Sequence, residues 1–192
     1  DFPARDWPPR VAQEAAAMSR AFRLLPIILL VWILIAFAWR LIQPPDPTVR
    51  SQLVNREVPQ FVLEPAIPGI PGLKSSDLAT GEPRLLNLFG SWCVPCIAEA
   101  PVLEELRSKG AKIDGIAIRD TSTGVSAFLE RRGNPYQRIG SDPTSSVQLA
   151  LGSVGVPQTF IVDRKGVIRF QHIGPIEPDD VPDVLARLEE VR

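Results

Sequence analysis

The only two cysteines of the 192-residue chain, Cys93 and Cys96, lie three positions apart in the stretch GSWCVPC. Two thiols at this spacing can close into a disulfide ring and open again, so they can exchange electrons with a disulfide in another protein. A zinc site needs further ligands, but the chain has no other cysteine and only one histidine, His172. Covalent haem attachment needs a histidine directly after the second cysteine, where the chain has Ile97. The pair therefore predicts redox chemistry.

The predicted elements around the cysteines indicate which thiol attacks and which one resolves the mixed disulfide. The apolar run Arg84–Phe89 is typical of a buried strand, and Val94–Ser108 has the spacing of an amphipathic helix. Cys93 then falls at the first helical turn, where unpaired backbone N–H groups stabilise a thiolate. We expect Cys93 to be exposed and to attack an incoming disulfide, while Cys96, one turn deeper, resolves the mixed disulfide. Trp92 would cover the attacking sulfur and still leave it accessible.

The rest of the C-terminal region has the pattern of a mixed α/β domain. Further strands are predicted at Gln60–Leu63, Lys112–Ile118, Thr159–Val162 and Val167–His172, and further helices at Ser126–Arg131, Ser145–Leu151 and Pro178–Val191. The turn composition of residues 163–166 joins the last two strands into a hairpin. His172 alternates with Ile168 and Phe170 along the hairpin, so we expect a structural role for it.

The hydrophobic excess of the chain is concentrated near its N-terminus. Residues 24–39 carry no charge, and residues 21–42 approach the roughly 20 residues that a membrane-spanning helix needs. We expect a transmembrane anchor at 21–42, followed by a proline-rich tether at 43–57. A cleaved signal peptide is the alternative, because residues 36–38 read Ala-Phe-Ala and resemble a cleavage site after an apolar run.

The start of the chain bears on its orientation in a membrane. Met18 is the only methionine in the chain. If translation starts there, residues 1–17 of the N-terminal segment 1–20 lie upstream of the true start. Arg20 and Arg23 precede the apolar run, and the positive-inside rule then predicts that everything after residue 42 is exported.

Composition narrows the functional classes further. A formal net charge of −1 implies no strongly basic face, so we expect no nucleic-acid partner. Two cysteines exclude a small domain that is stapled by disulfides. As a structural crosslink, a ring as small as that of Cys93 and Cys96 would contribute only about 2 kcal/mol. Residues 58–192 have the length of one ordinary domain.

WCVPC at the predicted strand-to-helix junction and GVPQTF at 155–160 resemble the thioredoxin superfamily. The longer stretches RLLNLFGSWCVPCIAE, GNPY at 133–136 and residues 141–175, together with the apolar N-terminal run, resemble the cytochrome c maturation oxidoreductases of the DsbE/CcmG type. The resemblance covers about residues 58–192 and implies an α/β, thioredoxin-like fold with a central mixed β-sheet flanked by helices. It also implies that Val156 and Pro157 form a cis-proline loop, which pairs with an extended substrate segment beside Trp92.

The same resemblance implies a function and a set of partners. The protein would be a single-pass protein of the bacterial inner membrane, with its C-terminal domain in the periplasm, and would reduce the haem-binding C-x-x-C-H cysteines of apocytochrome c. Other cytochrome c maturation components would be partners as well, and a membrane electron donor of the DsbD/CcdA kind would keep it reduced. No cofactor beyond the Cys93–Cys96 disulfide is expected. Three alternatives stay open: a TlpA/ResA-type reductant of other substrates, a disulfide-forming oxidase, and a module that binds apocytochrome or haem without turnover.

Two positions depart from the related patterns. Asn87 stands six residues before Cys93, where ordinary thioredoxins carry a buried aspartate that relays a proton, so another base must help to deprotonate Cys96. Glu99, three residues after Cys96, matches the family's acidic position and is our candidate. The alternative is a solvated glutamate, because the helical spacing places Glu99 largely on the polar face. Gln158 follows the loop proline where the family often has glutamate, which argues against a mechanism with two carboxylates.

Overall fold

The computed structural model describes residues 25–39 and 53–192. Residues 25–39 form helix α1, and residues 53–192 belong to a second compact unit. Among the described residues, no helix combines the length and the hydrophobicity that crossing a membrane requires. The predicted anchor at 21–42 extends past both ends of α1 into residues outside the described ranges. Most of the predicted tether at 43–57, namely residues 43–52, also lies outside them, so both stay predictions.

The second unit is built on a five-stranded mixed sheet and a short antiparallel pair. The pair consists of β1 (Val62–Leu63) and β2 (Leu73–Lys74). The sheet consists of β3 (Arg84–Phe89), β4 (Ile113–Ile118), β5 (Ile139–Asp142), β6 (Gln158–Val162) and β7 (Ile168–Ile173). Its spatial order is β5-β4-β3-β6-β7, in which β3, β4 and β5 run parallel and β6 is antiparallel to both of its neighbours. The central mixed sheet that the family resemblance implies is confirmed.

Helices cover both faces of this sheet, because successive strand residues point to opposite sides and the apolar residues of β3 lie on both. The helices are α2 (Val94–Ser108), α3 (Ser122–Arg132), α4 (Ser146–Ala150) and α5 (Val181–Glu190), with short 3-10 turns at Ser75–Leu78 and Pro178–Asp180. One face of β3, with Leu85 and Phe89, packs against α2, α3 and α5. The other face, with Leu86 and Leu88, packs against α4 and the first 3-10 turn.

The strongest sequence patterns have the bounds that were predicted, whereas weaker elements differ. Strand β3 and helix α2 begin and end at the predicted residues. Helix α3 begins at Ser122 rather than Ser126, because the Thr121 hydroxyl accepts a hydrogen bond from the Gly124 amide and caps an earlier first turn. Strand β5 was not predicted, since its four residues include only one large apolar side chain.

Candidate functional site

Cys93 and Cys96 form a disulfide where β3 ends and α2 begins. Cys93 is the N-cap of α2, and its sulfur accepts a hydrogen bond from the backbone N–H of Cys96 at 3.2 Å. Pro95 occupies the first turn, where a missing N–H leaves no hydrogen bond unmade. The helix terminus therefore directs a backbone amide at the sulfur of Cys93, and this arrangement favours negative charge on that atom.

The disulfide itself is buried in this oxidised form. Cys93 is 4% exposed, and both cysteines belong to the apolar core beneath α2. The prediction of an exposed attacking sulfur is therefore wrong for the disulfide state. The neighbouring side chains of Trp92 and Val94 are 56% and 75% exposed. These two exposed residues flank Cys93 in the sequence, and we expect exchange to involve a local movement that exposes its sulfur.

The loop that precedes the disulfide is fixed by residues at and after the end of β4. The indole Nε1 of Trp92 donates to the carbonyl oxygen of Ile118 at 3.1 Å. A Cβ at Gly90 would lie 2.7 Å from the Trp92 ring, so a larger residue at this position would force the ring to move. The carboxylate of Asp120 accepts hydrogen bonds from the backbone N–H of Ser91 and, at 2.8 Å, from its hydroxyl. Sequence reasoning missed this anchoring, because β4 and the loop meet only in the folded sheet.

The peptide bond between Val156 and Pro157 is cis. Strand β6 begins directly after it, and its first residue, Gln158, pairs with Leu88 near the end of β3, so the loop and the disulfide lie at the same end of the sheet. Val156 and Trp92 line one shallow groove. Within residues 53–192 the backbone N–H and C=O of Val156 take part in no hydrogen bond, which leaves both groups available to an added strand.

Glu99 lies in the interior rather than on the helix surface. It is 1% exposed, so the alternative of a solvated glutamate is wrong. One carboxylate oxygen accepts the backbone N–H of Ile176 at 3.0 Å, and the other accepts the side-chain amide of Asn87 at 3.4 Å. Burial raises the pKa of Glu99 from 4.5 to about 7, although these two hydrogen bonds act in the opposite direction. A carboxyl that titrates near neutrality, one turn beyond Cys96, can take up and return a proton there.

Asn87 occupies the centre of a buried polar cluster. Its side-chain nitrogen also donates to the hydroxyl of Thr159 at 3.0 Å, and its oxygen accepts the phenolic hydroxyl of Tyr136 at 2.8 Å. The side chain at this position is thus a neutral amide whose oxygen and nitrogen are both hydrogen-bonded, and not the buried carboxylate of ordinary thioredoxins. The GNPY stretch contains Tyr136, but the sequence offered no signal that its hydroxyl reaches β3.

The remaining polar candidates lie outside this cluster. Gln158 is buried, but alternation along β6 directs it to the sheet face opposite Thr159. Its side-chain oxygen has no hydrogen-bond partner within the described part of the chain. His172 Nε2 lies 3.1 Å from the carbonyl oxygen of Pro175, a contact that tethers the chain after β7. Within the part of the chain that the structure describes, no three His, Cys, Asp or Glu side chains are placed to hold a metal ion.

Comparison with known proteins places the chain in a family. Residues 53–188 match the redoxin family profile. The chain is 35% identical over 178 residues to the thiol:disulfide interchange protein DsbE of Vibrio cholerae, a match that covers 90% of this chain and 96% of that protein. The chain belongs to the redoxin family, among its DsbE-type members. This redoxin is also 33% identical over 165 residues to DsbE of Escherichia coli K12, with 84% of this chain and 89% of that protein covered.

Further relatives agree with this assignment. The redoxin is 33% identical over 162 residues to the thiol:disulfide interchange protein HelX of Rhodobacter capsulatus, covering 84% of this chain and 92% of HelX. A solved thiol:disulfide interchange protein of the thioredoxin family from Chlorobium tepidum has the same fold, with a TM-score of 0.57, 23% identity, and 70% of this chain and 94% of that chain covered. The thioredoxin-like fold is confirmed, and with its cysteine pair this redoxin is a thiol-disulfide oxidoreductase.

Proposed function

We propose that this redoxin reduces the disulfide of the haem-binding C-x-x-C-H motif in apocytochrome c, from a membrane tether on the periplasmic side of the bacterial inner membrane. The observation that carries the proposal is the free backbone of Val156, which shares a groove with Trp92 next to the disulfide. The similarity to DsbE-type proteins supports it as well.

The surface around the disulfide suits an unfolded polypeptide segment. We define the docking surface as Trp92, Val94, Val154 and Val156. Val154 is 81% exposed and lines the groove together with Trp92 and Val156. Exposed apolar side chains that lie together mark an interaction surface. An extended segment of apocytochrome can pair with the backbone of Val156 and place its apolar side chains against this surface, which brings its cysteines to Cys93.

The reaction transfers two electrons to the substrate. In the reduced protein, the Cys93 thiolate attacks one sulfur of the substrate disulfide, whose S–S bond breaks, and the released substrate thiolate takes up a proton. The Cys96 thiol loses its proton, and its thiolate attacks the sulfur of Cys93. The second substrate thiolate leaves, and Cys93 and Cys96 are oxidised to the disulfide. A membrane electron donor of the DsbD/CcdA kind then supplies two electrons for the next cycle.

Trapping of the mixed disulfide tests the substrate. The Cys96→Ala variant of the full chain cannot resolve the intermediate, so its partner stays attached to Cys93 when the protein is expressed in a bacterium that makes cytochromes c. We expect apocytochrome c among the trapped proteins, identified by mass spectrometry after non-reducing electrophoresis. Recovery of other exported proteins alone, such as those with copper-site cysteines, would contradict the substrate and favour a TlpA/ResA-type role.

A double variant separates exchange from binding. Cys93→Ser with Cys96→Ser keeps the docking surface but has no thiols. We expect it to fail to restore cytochrome c assembly in a strain that lacks its own DsbE-type protein, whereas the unaltered chain restores it. Restoration by the double variant would show a binding module without redox turnover.

A further inference from the structure

Tyr136 is a buried titratable residue to which the exchange reaction described above assigns no part. Its ring stacks on that of Phe89, with 4.8 Å between the ring centroids. Phenylalanine would fill the same space without a hydroxyl. Burying a hydroxyl costs free energy unless it is hydrogen-bonded. The hydroxyl is hydrogen-bonded, to the side-chain oxygen of Asn87 at 2.8 Å.

This hydrogen bond fixes which end of the Asn87 amide faces Glu99. Burial, with a smaller contribution from the charge of Glu99, raises the pKa of Tyr136 well above 10, so the hydroxyl keeps its proton and can donate. With its oxygen on Tyr136, Asn87 directs its nitrogen to Glu99 and to Thr159. A reversed amide would direct its oxygen at the Glu99 carboxylate and lose that hydrogen bond.

The other oxygen of Glu99 is held from a separate part of the chain. The backbone N–H of Ile176 donates to it at 3.0 Å, and the N–H of Gly174 in the same loop donates to the carbonyl oxygen of Pro157 at 3.1 Å. Two titratable groups among the described residues interact electrostatically with Glu99: Tyr136 from the loop before β5 and Glu177 from the loop after β7. Cys96 precedes Glu99 by three residues on α2, about one helical turn. With one oxygen held by Ile176 and the other by Asn87, the carboxyl has a single orientation.

We propose that Tyr136 and Asn87 are positioning residues, which hold the Glu99 carboxyl in the orientation in which it takes the proton of Cys96 during thiol-disulfide exchange. In that step Glu99 takes the proton, the Cys96 thiolate attacks the sulfur of Cys93, the Cys93–Cys96 bond forms, and the other sulfur on Cys93 leaves as a thiolate with its electron pair. The inference deepens the proposed function, and it rests on the exchange activity of this site but not on the identity of the substrate.

The test follows oxidation of the reduced full-length protein by oxidised glutathione from pH 5 to pH 9, with acid quenching and mass spectrometry to count the Cys93–glutathione adduct. In the unaltered protein we expect resolution of the adduct to accelerate with an inflection near pH 7, and in Glu99→Gln we expect this inflection to be absent. Tyr136→Phe keeps the ring stack and removes only the hydroxyl. Its inflection should move to higher pH by about half to one pH unit, because the Asn87 hydrogen bond that lowers the pKa of Glu99 is weakened.

Two further variants separate positioning from packing. Phe128→Leu alters the same aromatic cluster, in which the rings of Phe89 and Phe128 lie 5.6 Å apart, but leaves the hydrogen bonds intact, so it should lower stability without moving the inflection. Asn87→Ala should move the inflection in the same direction as Tyr136→Phe, and the double variant should move it no further than Asn87→Ala alone. A Tyr136→Phe profile that superimposes on the unaltered one, or shifts that simply add, would overturn the proposal. Because glutathione replaces apocytochrome c here, either result leaves the proposed substrate untouched.

Discussion

The carboxylate of Glu99 accepts a hydrogen bond at 3.0 Å from the backbone N–H of Ile176, 77 residues further along the chain. This contact joins the helix that begins at the disulfide to the loop that also holds the carbonyl of Pro157. The hydrogen bond by itself lowers the pKa of Glu99, but burial of the carboxyl outweighs it and raises the pKa to about 7. The same group therefore influences both the redox chemistry of the protein and the dependence of its stability on pH.

Replacing Glu99 by glutamine should slow the resolution step. General acid-base groups typically contribute about 100-fold or more, so we expect the Cys93–glutathione adduct of Glu99→Gln to decay roughly 100-fold more slowly at pH 7, with a smaller difference at higher pH, where Cys96 ionises unaided. Glu105→Gln is the matched control, because Glu105 lies on the same helix and pairs with Lys109 at the surface. Equal slowing in both variants would argue against a role for the buried carboxyl.

The raised pKa of Glu99 also predicts a pH dependence of stability. The unfolded chain ionises this carboxyl near pH 4.5 and the folded protein only near pH 7, so the folded state binds more protons between these values. The free energy of unfolding should therefore fall as pH rises from 4.5 to 7, by up to about 3 kcal/mol, and level off above pH 7. Urea unfolding of the oxidised protein measures this. Glu99→Gln should lack the decrease, and parallel curves for the two proteins would contradict the assignment.

A charge on the docking surface should weaken the binding of protein substrates selectively. Val154→Asp places a carboxylate in the groove beside Val156, and we expect kcat/KM for an oxidised C-x-x-C-H peptide to fall roughly tenfold, which corresponds to about 1.4 kcal/mol. The rate with oxidised glutathione should stay unchanged. Val62→Asp is the control, since Val62 is also exposed but lies on β1. A similar loss in both variants would show that the effect is unspecific.

The loop before the disulfide should control access to the buried sulfur. In Asp120→Ala, Ser91 loses the acceptor of both its backbone N–H and its hydroxyl. A hydrogen bond to a charged group contributes about 1.5 kcal/mol or more, so we expect dithiothreitol to reduce the disulfide roughly tenfold faster. Stopped-flow measurement of the reduction rate checks this, with the exposed Asp179→Ala as control. An unchanged rate would mean that another segment limits access.

The buried pair of Arg84 and Asp114 should matter for stability rather than for exchange. The guanidinium of Arg84 contacts the carboxylate of Asp114 at 2.7 Å, and both side chains are buried. Asp114→Ala leaves a buried charge without its partner and should lower the free energy of unfolding by about 3 to 5 kcal/mol. Lys112→Ala removes a surface ion pair with Glu82 and should cost at most about 1 kcal/mol. Urea unfolding compares the two, and a similar cost would contradict the distinction.

Local patterns in the sequence were sufficient for the elements that carry the cysteines. Strand β3 is a continuous apolar run, and α2 has clear helical spacing, a proline in its first turn and a glycine after its end, so both were predicted with their observed bounds. The cysteine spacing indicated exchange chemistry, while the small number of cysteines and histidines in the chain excluded zinc and Ile97 excluded covalent haem attachment. The signals for the strand, the helix and the cysteine pair are local, because they depend on residues within one or two turns of each other.

Contacts between distant segments determined the rest of the site. Helical spacing placed Glu99 largely on a polar face, but β3 and the loop after β7 cover that part of α2 and turn it into an interior group. The exposure expected for Cys93 was wrong for the same reason, since its burial depends on the packing of the whole core. Tyr136 reaches Asn87 across 49 positions of sequence. The sequence by itself determined which chemistry the chain carries, and only the tertiary structure decided which groups lose their water and hence which proton is available near neutral pH.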